Sequence, residues 1–435
     1  MSTSTSLMTD RYELTMIEAA LASGTANRKS VFEVFARRLP EGRRYGLVAG
    51  TGRFLEGLKD FRFTTEDLDY LANNNVVSET MLNWLADFRF SGTITGYAEG
   101  EIYFPNSPII QVESTFAEAV ILETYLLSVL NYDTAVASAA SRMIAVAGDR
   151  PCIEMGSRRT NEESAVAAAR AAAIAGFAST SNLEAGRRYG LTTAGTAAHS
   201  FTLLHDSERE AFEAQIKSMG VDTTLLVDTY DVEKAVRTAV EIAGPQLGGV
   251  RLDSGDLVSQ AAWVRELLDD LGNPNTKIIV TSDLDEYAIA ALRSAPVDGY
   301  GVGTQLVTGS GAPTASMVYK LVARQGNDGE WVPVAKSASG KKSVGGKKYA
   351  YRQINERGRA TAELVGVNRI PAEVTDNDRP LQVPLVVDGE IQPGLTGAAG
   401  VEAAIERRKA SIEEMPGRAR QLMRGEPVIP TLMEE

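Results

Sequence analysis

The sequence predicts an α/β protein centred on a parallel β/α barrel, closed or nearly closed, and three observations predict it. Short apolar strands alternate with amphipathic helices between Cys152 and Val302. Most successive strands lie roughly 20–30 residues apart, the repeat of a parallel β/α unit. Glycine-rich or polar motifs fall just after the strands, where such a barrel builds its site. An open doubly wound sheet shares this periodicity and is the rival architecture.

The predicted barrel strands are Cys152–Met155, Thr224–Val227, Gly249–Leu252, Lys277–Thr281 and Gly299–Val302. Between them run the helical patterns Asn161–Ala175, Val232–Ala243, Asp256–Leu271 and Glu286–Ser294. Two longer patterns, Phe116–Leu130 and Thr134–Ala147, lead into this region. Before them, Thr9-Asp10 opens a helix with Leu14, Ile17 and Leu21 at helical spacing, and Gly24 ends it. Ser30–Ala36 reads as a strand, and Thr51–Leu58, Thr65–Ala72 and Ser78–Phe88 as helices. Thr93–Ala98, Glu101–Phe104 and Ile109–Val112, divided by Gly and Pro, read as antiparallel strands.

After the barrel, Met317–Ala323 and Trp331–Ala335 are strands about the turn Gln325-Gly326-Asn327-Asp328-Gly329. Lys336–Lys348 is basic and glycine-rich and reads as a solvated hairpin or a flap. Leu381–Val387 is a last strand and Ala403–Arg424 a last helix. The predicted division is 1–113, 114–316 and 317–435, with the first and last parts forming one discontinuous α+β domain beside the barrel.

A chain of 435 residues holds one large or two medium domains. A net charge of −13 argues against a general nucleic-acid binder and against an anionic-membrane binder. An anionic substrate would then need a local basic island. The single cysteine, Cys152, excludes an internal disulfide framework and a cysteine-built metal knot, and fits a reducing cytoplasm. Met1–Ser6 carries neither a basic cluster nor an apolar core, so a secretory leader is not expected. No apolar run approaches the roughly 20 residues of a membrane helix.

Imidazole chemistry has only two places to sit, His199 and His205. His199 lies in Gly195-Thr196-Ala197-Ala198-His199-Ser200-Phe201, where small residues leave space and expose backbone N–H groups to an anion. A histidine in that setting can be a general base, a metal ligand or a nucleophile for a phosphoryl group, or can simply pack where loop meets helix.

Other candidate groups follow predicted strands. Gly156-Ser157-Arg158-Arg159 offers two guanidinium groups that can grip a carboxylate or phosphate with paired hydrogen bonds. In Val250-Arg251-Leu252-Asp253-Ser254-Gly255-Asp256, Asp253 or Asp256 can hold ribose hydroxyls or magnesium, and Asp256 can equally cap the next helix. Thr281-Ser282-Asp283 carries the same choice. Gly301-Val302-Gly303-Thr304 stands where a late barrel strand commonly binds phosphate through backbone N–H groups. Arg37, Arg38, Arg43 and Arg44 surround a Pro40-Glu41-Gly42 turn and suit a phosphate, partner carboxylates or solvent. Together these motifs describe a pocket for a phosphorylated sugar and a carboxylate-bearing partner, faced by a histidine.

Taken in order, the motifs resemble the nicotinate phosphoribosyltransferase family. The matching stretches are Leu7–Met16, Phe32–Arg38, Gly156–Arg159, Gly195–Phe201, Arg251–Leu257 and Gly301–Gln305, spread over about three hundred residues. The resemblance implies an irregular, incomplete β/α barrel of the type II phosphoribosyltransferase kind, with a flanking α+β domain built from both chain ends. It also implies a homodimer with shared active sites, and an ATP-coupled enzyme of the ligase class that forms a C–N bond. Nicotinate and phosphoribosyl pyrophosphate would give nicotinate mononucleotide and pyrophosphate in NAD salvage, with magnesium as cofactor and ATP as co-substrate.

By the same resemblance His199 is transiently phosphorylated and Tyr12 stacks on the pyridine ring from the neighbouring subunit. Arg158 and Arg251 lie near the nicotinate and phosphoribosyl groups, Thr196 shares their pocket, and Gly303-Thr304 is the phosphate turn. Gly345-Gly346 stands where relatives commonly have Pro-Gly, and Arg11 and Glu13 flank Tyr12 where relatives often differ. A nicotinamide-using relative and a non-catalytic phosphohistidine relay or sensor are the alternatives.

Overall fold

The computed structural model describes residues 4–336 and 343–435, which group into two compact units. One comprises residues up to Ser138 with Ala312–Ala419 and Met423–Glu435; the other comprises Ala139–Gly311 with Arg420–Leu422. No helix among the described residues is long and apolar enough to cross a membrane.

The second unit holds the parallel sheet. Its six strands run in the order Ser179–Thr180, Cys152–Glu154, Gly299–Val302, Lys277–Ser282, Gly249–Leu252, Thr224–Leu226, and every neighbouring pair is parallel. The burial of Cys152, Leu225, Val250, Leu252, Ile278, Val280, Tyr300 and Val302 shows why these segments read as apolar runs. Helices Glu162–Ala175, Val232–Ala243, Leu257–Asp270 and Glu286–Leu292 fill the crossovers, capped by Asn161, Asp231, Asp256 and Asp285.

The sheet is curled. Thr193 makes an isolated parallel bridge to Thr180 beyond one edge, yet Thr196 reaches Arg251 near the other edge. Three residues span at most about 11 Å, while five strand spacings laid flat measure about 24 Å. An arginine side chain does not close that gap unless the strands bend round. The architecture is therefore the expected incomplete barrel rather than a flat doubly wound sheet.

The other unit is α+β. Its largest sheet has seven strands in the order Trp331–Pro333, Met317–Gln325, Lys29–Ala36, Ile110–Thr115, Thr93–Tyr97, Gln382–Val387, Glu390–Ile391, all antiparallel. Both ends of the chain thus contribute to one sheet, as the flanking domain requires. A second sheet, Arg379–Pro380, Lys348–Ile354, Ala360–Val367 and Thr431–Glu434, comes wholly from the C-terminal part. The core gathers Ile17, Val34, Phe54, Leu55, Ile94, Val112, Leu126 and Leu385.

Several boundaries differ from expectation for identifiable reasons. The chain forms Phe116–Val120 and then one helix, Glu123–Ala147, with no interruption at Asn131-Tyr132-Asp133. Those residues carry no helix breaker, and Asp133 accepts two hydrogen bonds from Arg53 at 3.0 Å. The last helix is Gly397–Glu414 and stops before Pro416, whose missing N–H and ring forbid the predicted continuation to Arg424. Lys348 is not a solvated lysine. It is buried with Glu33, donating to both carboxylate oxygens at 3.0 and 2.9 Å. The central part of that basic segment, 337–342, lies outside the described residues.

Candidate active site

The loop leaving Thr193 becomes a short helix, His199–Leu204, so His199 is its first residue. Its side chain is 40% exposed, and Nδ1 stands 3.1 Å from Thr229 Oγ1. The other ring nitrogen, Nε2, is flanked by two carboxylates, 3.9 Å from Asp228 Oδ1 and 3.9 Å from Asp253 Oδ2. His205 is different. Its Nδ1 lies 2.8 Å from Phe201 O and its ring packs edge-on against Phe201, so it serves its own turn.

Arg251 binds the His199 loop to the sheet. Nη1 donates to Thr196 Oγ1 and, at 3.2 Å, to Ala197 O, while Nη2 approaches Asp253 Oδ1 at 3.4 Å. Thr281, near the end of the neighbouring strand, donates its hydroxyl to Asp253. Asp228 Oδ2 accepts the Asp253 amide at 2.9 Å and the Ser254 hydroxyl at 2.8 Å. Its Oδ1 is buried and has no hydrogen-bond partner among the described residues. The residues that follow two neighbouring strands, ending at Leu226 and Leu252, thus converge on one imidazole, and Thr281 of the third strand braces Asp253.

The predicted residues divide into groups. Thr196, His199, Arg251 and Asp253 are joined by direct contacts. Asp256 caps its helix instead, accepting from Ser259 N at 3.3 Å and Ser259 Oγ at 2.7 Å, and these bonds hold its carboxyl below the usual range. Arg158 is exposed on the turn after Cys152–Glu154, and no hydrogen bond or ion pair holds its guanidinium among the described residues. Gly303 precedes the four-residue helix Thr304–Val307 at the end of the adjacent strand. The Arg158 and Gly303 turns meet closely: a Cβ on Gly156 would lie 3.1 Å from Gly303 O and 2.2 Å from Val307 Cγ1. Arg158, Gly303 and Thr304 share the sheet's C-terminal rim with the histidine cluster.

Tyr12 belongs to the other unit. It is 45% exposed in the first turn of Arg11–Ala22, and burial, then the charges of Glu123 and Glu13, push its hydroxyl pKa up. Glu13 beneath it is buried and accepts from Thr124 N at 2.8 Å and Thr124 Oγ1 at 2.7 Å. Of the arginines around Gly42, Arg44 donates to Glu426 O and Arg418 O, a structural task. Arg37 instead lines a cavity of about 290 Å³ with Lys320, Lys336, Val318 and Ser343, a basic place in an acidic protein.

Sequence reasoning missed Asp228 and Thr229. The rule that polar residues after a strand form the site points to both, since they directly follow the strand predicted at Thr224–Val227. Among the described residues no three His, Cys, Asp or Glu side chains converge on a metal position. The Asp228–Asp253 pair, with one buried oxygen lacking a partner, is the oxygen donor set that fits a hard cation such as magnesium. Such an ion commonly takes one or two carboxylates and completes its shell with water and phosphate.

Residues 7–131 match the family model of the nicotinate phosphoribosyltransferase (NAPRTase) N-terminal domain, and residues 151–358 match that of the nicotinate phosphoribosyltransferase (NAPRTase) family. Nicotinate phosphoribosyltransferase pncB1 of Mycobacterium tuberculosis is 54% identical over 433 residues, covering 98% of this chain and 94% of the relative. The Bacillus subtilis nicotinate phosphoribosyltransferase is 39% identical over 365 residues, 81% of this chain and 74% of its own. The crystal structure of human nicotinic acid phosphoribosyltransferase superposes with a TM-score of 0.83 at 25% identity, covering 98% of this chain and 97% of that one. With both parts of the chain matched in order and the likeness sustained over nearly its whole length, the chain belongs to the nicotinate phosphoribosyltransferase family.

Proposed function

We propose that the protein transfers phosphoribose from phosphoribosyl pyrophosphate to nicotinate, giving nicotinate mononucleotide and pyrophosphate, as a step of NAD salvage assisted by ATP. The observation that carries this reading is the convergence of Thr229, Asp228 and Asp253 on the His199 ring at the carboxyl ends of the parallel strands, with Arg251 tying Thr196 of the same loop to Asp253. In the transfer, the pyridine nitrogen's lone pair forms the bond to the ribose carbon as the C–O bond breaks, and pyrophosphate leaves with that bond's electrons. No protein nucleophile is needed. Arg251, Arg158 and the Gly303-Thr304 turn position anions and oppose the departing charge.

His199 is the acceptor of a phosphoryl group from ATP. An Nδ1–H donating to Thr229 Oγ1 leaves the Nε2 lone pair free to attack, with ADP as the leaving group. The phosphohistidine is then hydrolysed, and that hydrolysis is coupled to tighter substrate binding or to driving the transfer. Asp228 and Asp253 are the residues that would hold magnesium. When bound, it offsets the repulsion between phosphate oxygens and these two carboxylates. Tyr12 offers its exposed ring face to the pyridine within a homodimer whose sites are shared between copies.

Pyrophosphate release tests the reading. Nicotinate and nicotinamide are supplied separately at equal concentration with phosphoribosyl pyrophosphate, magnesium and ATP. Release that depends on nicotinate supports it. Release with nicotinamide alone makes the protein an amide-using relative, and phosphate uptake by the protein without pyrophosphate release makes it a relay.

A further inference from the structure

Glu154 has no part in the chemistry above, yet it is a fully buried carboxylate at the end of strand Cys152–Glu154, with no cation paired to it among the described residues. Burying such a group is costly unless its oxygens are used. Here both are used. Oε1 accepts the amide of Gly156, the first residue of the turn that carries Arg158, and Oε2 accepts the hydroxyl of Thr180. Thr180 Oγ1 in turn accepts the Asn182 amide at 3.0 Å, and the Asn182 side chain donates to Ser157 Oγ at 3.1 Å. With the Gly156–Ser157 peptide link, these hydrogen bonds close a ring at the base of the Arg158 turn.

Thr180 also faces the other way. Its N–H donates to Thr192 O at 3.0 Å, and its carbonyl accepts from Ala194 N at 2.9 Å. Ala194 directly precedes the Gly195–His199 loop. One buried carboxylate is therefore bonded to the Arg158 turn and, through a single threonine, to the segment that launches the His199 loop. The turn has no slack to find another position, because Gly156 is packed against Val307 and Gly303.

We propose that Glu154 is a positioning residue that sets the Arg158 turn and the His199 loop relative to one another through Thr180. This rests on the reading that Arg158 and His199 serve one reaction. Displacing a positioned group by about 1 Å can cost on the order of 10²-fold in rate, so a lost hydroxyl far from the reacting atoms has a kinetic signature.

The test compares Glu154→Gln, Thr180→Val and Thr180→Ser in the full chain. Thr180→Val keeps the shape and removes the hydroxyl, and Thr180→Ser keeps the hydroxyl. Thr180→Val and Glu154→Gln are expected to lose about 10-fold or more in nicotinate-dependent pyrophosphate release, while Thr180→Ser stays within about 3-fold of the parent. Amide hydrogen exchange is expected to quicken together at Gly156–Arg159 and at Thr192–Ala194, with Gly249–Leu252 unchanged. Equal activity of the Val and Ser variants, or quickened exchange confined to one segment or spread over the whole chain, overturns the proposal. If the parent shows no release with nicotinate, the functional reading fails, while the exchange comparison still decides the positioning role.

Discussion

Asp228 and His199 face one another across 3.9 Å, with Asp228 Oδ1 toward His199 Nε2 and Asp228 Oδ2 anchored on the Asp253 amide. The carboxylate is thus fixed at one oxygen and presented at the other, the arrangement needed to stabilise positive charge on an imidazole. Asp228→Asn keeps the anchor and removes the charge. The ATP-stimulated rate is expected to fall about 10- to 100-fold with the fold intact. An unchanged rate would remove Asp228 from the mechanism.

Arg251 makes three contacts with a planar fork, to Thr196, Ala197 and Asp253. Lysine has the charge but not the fork. Arg251→Lys is expected to lower kcat/KM about 10-fold or more, and a loss under about twofold would show that charge alone suffices.

Two glycines at the rim should behave oppositely toward alanine. A Cβ at Gly156 meets Val307 Cγ1 at 2.2 Å, whereas Gly195 has nothing within 4 Å. Gly156→Ala is expected to cost about 1–3 kcal/mol and Gly195→Ala less than about 0.5 kcal/mol. Urea midpoints of the two variants measure the contrast, and equal midpoints contradict the close approach at Gly156.

Burial pushes the Glu13 carboxyl up from 4.5 to about 7, against the hydrogen bonds from Thr124 and Asp10 that lower it. A carboxyl whose pKa is raised on folding binds more protons in the folded state. Its contribution is therefore full below the unfolded value and is lost as pH rises through about 7. Glu13→Gln is expected to gain stability relative to the parent as pH rises from 4.5 to 7. Thermal unfolding across that range checks it, and a difference independent of pH would contradict it.

Much of the barrel was legible because its crossovers are long and strongly periodic. Strands Gly249–Leu252 and Gly299–Val302 and helix Val232–Ala243 fall where the pattern places them. The stretch 176–223 was not. Its strand Ser179–Thr180 has two residues, too few for any period, and helices Leu183–Tyr189 and His199–Leu204 span fewer than two turns each, although helix Glu208–Met219, also missed, is long enough to carry a period. Strand order was also hidden, since nothing local tells Gly299–Val302 to lie between Cys152–Glu154 and Lys277–Ser282.

The site was legible where residue type alone is unusual. His199 stood out because the chain has two histidines, and Arg251 because a strand seldom carries a guanidinium. Glu154 was invisible for the opposite reason. A lone acid in a short strand looks like a surface position, and only the fold shows that it is buried and bonded to Gly156 and Thr180.

The most direct measurement is pyrophosphate release from nicotinate, phosphoribosyl pyrophosphate and magnesium, with and without ATP, in the parent and in His199→Ala. ATP-stimulated release is expected in the parent, and in the variant a slow release that ATP does not change. ATP stimulation of equal size in both would contradict the role assigned to His199.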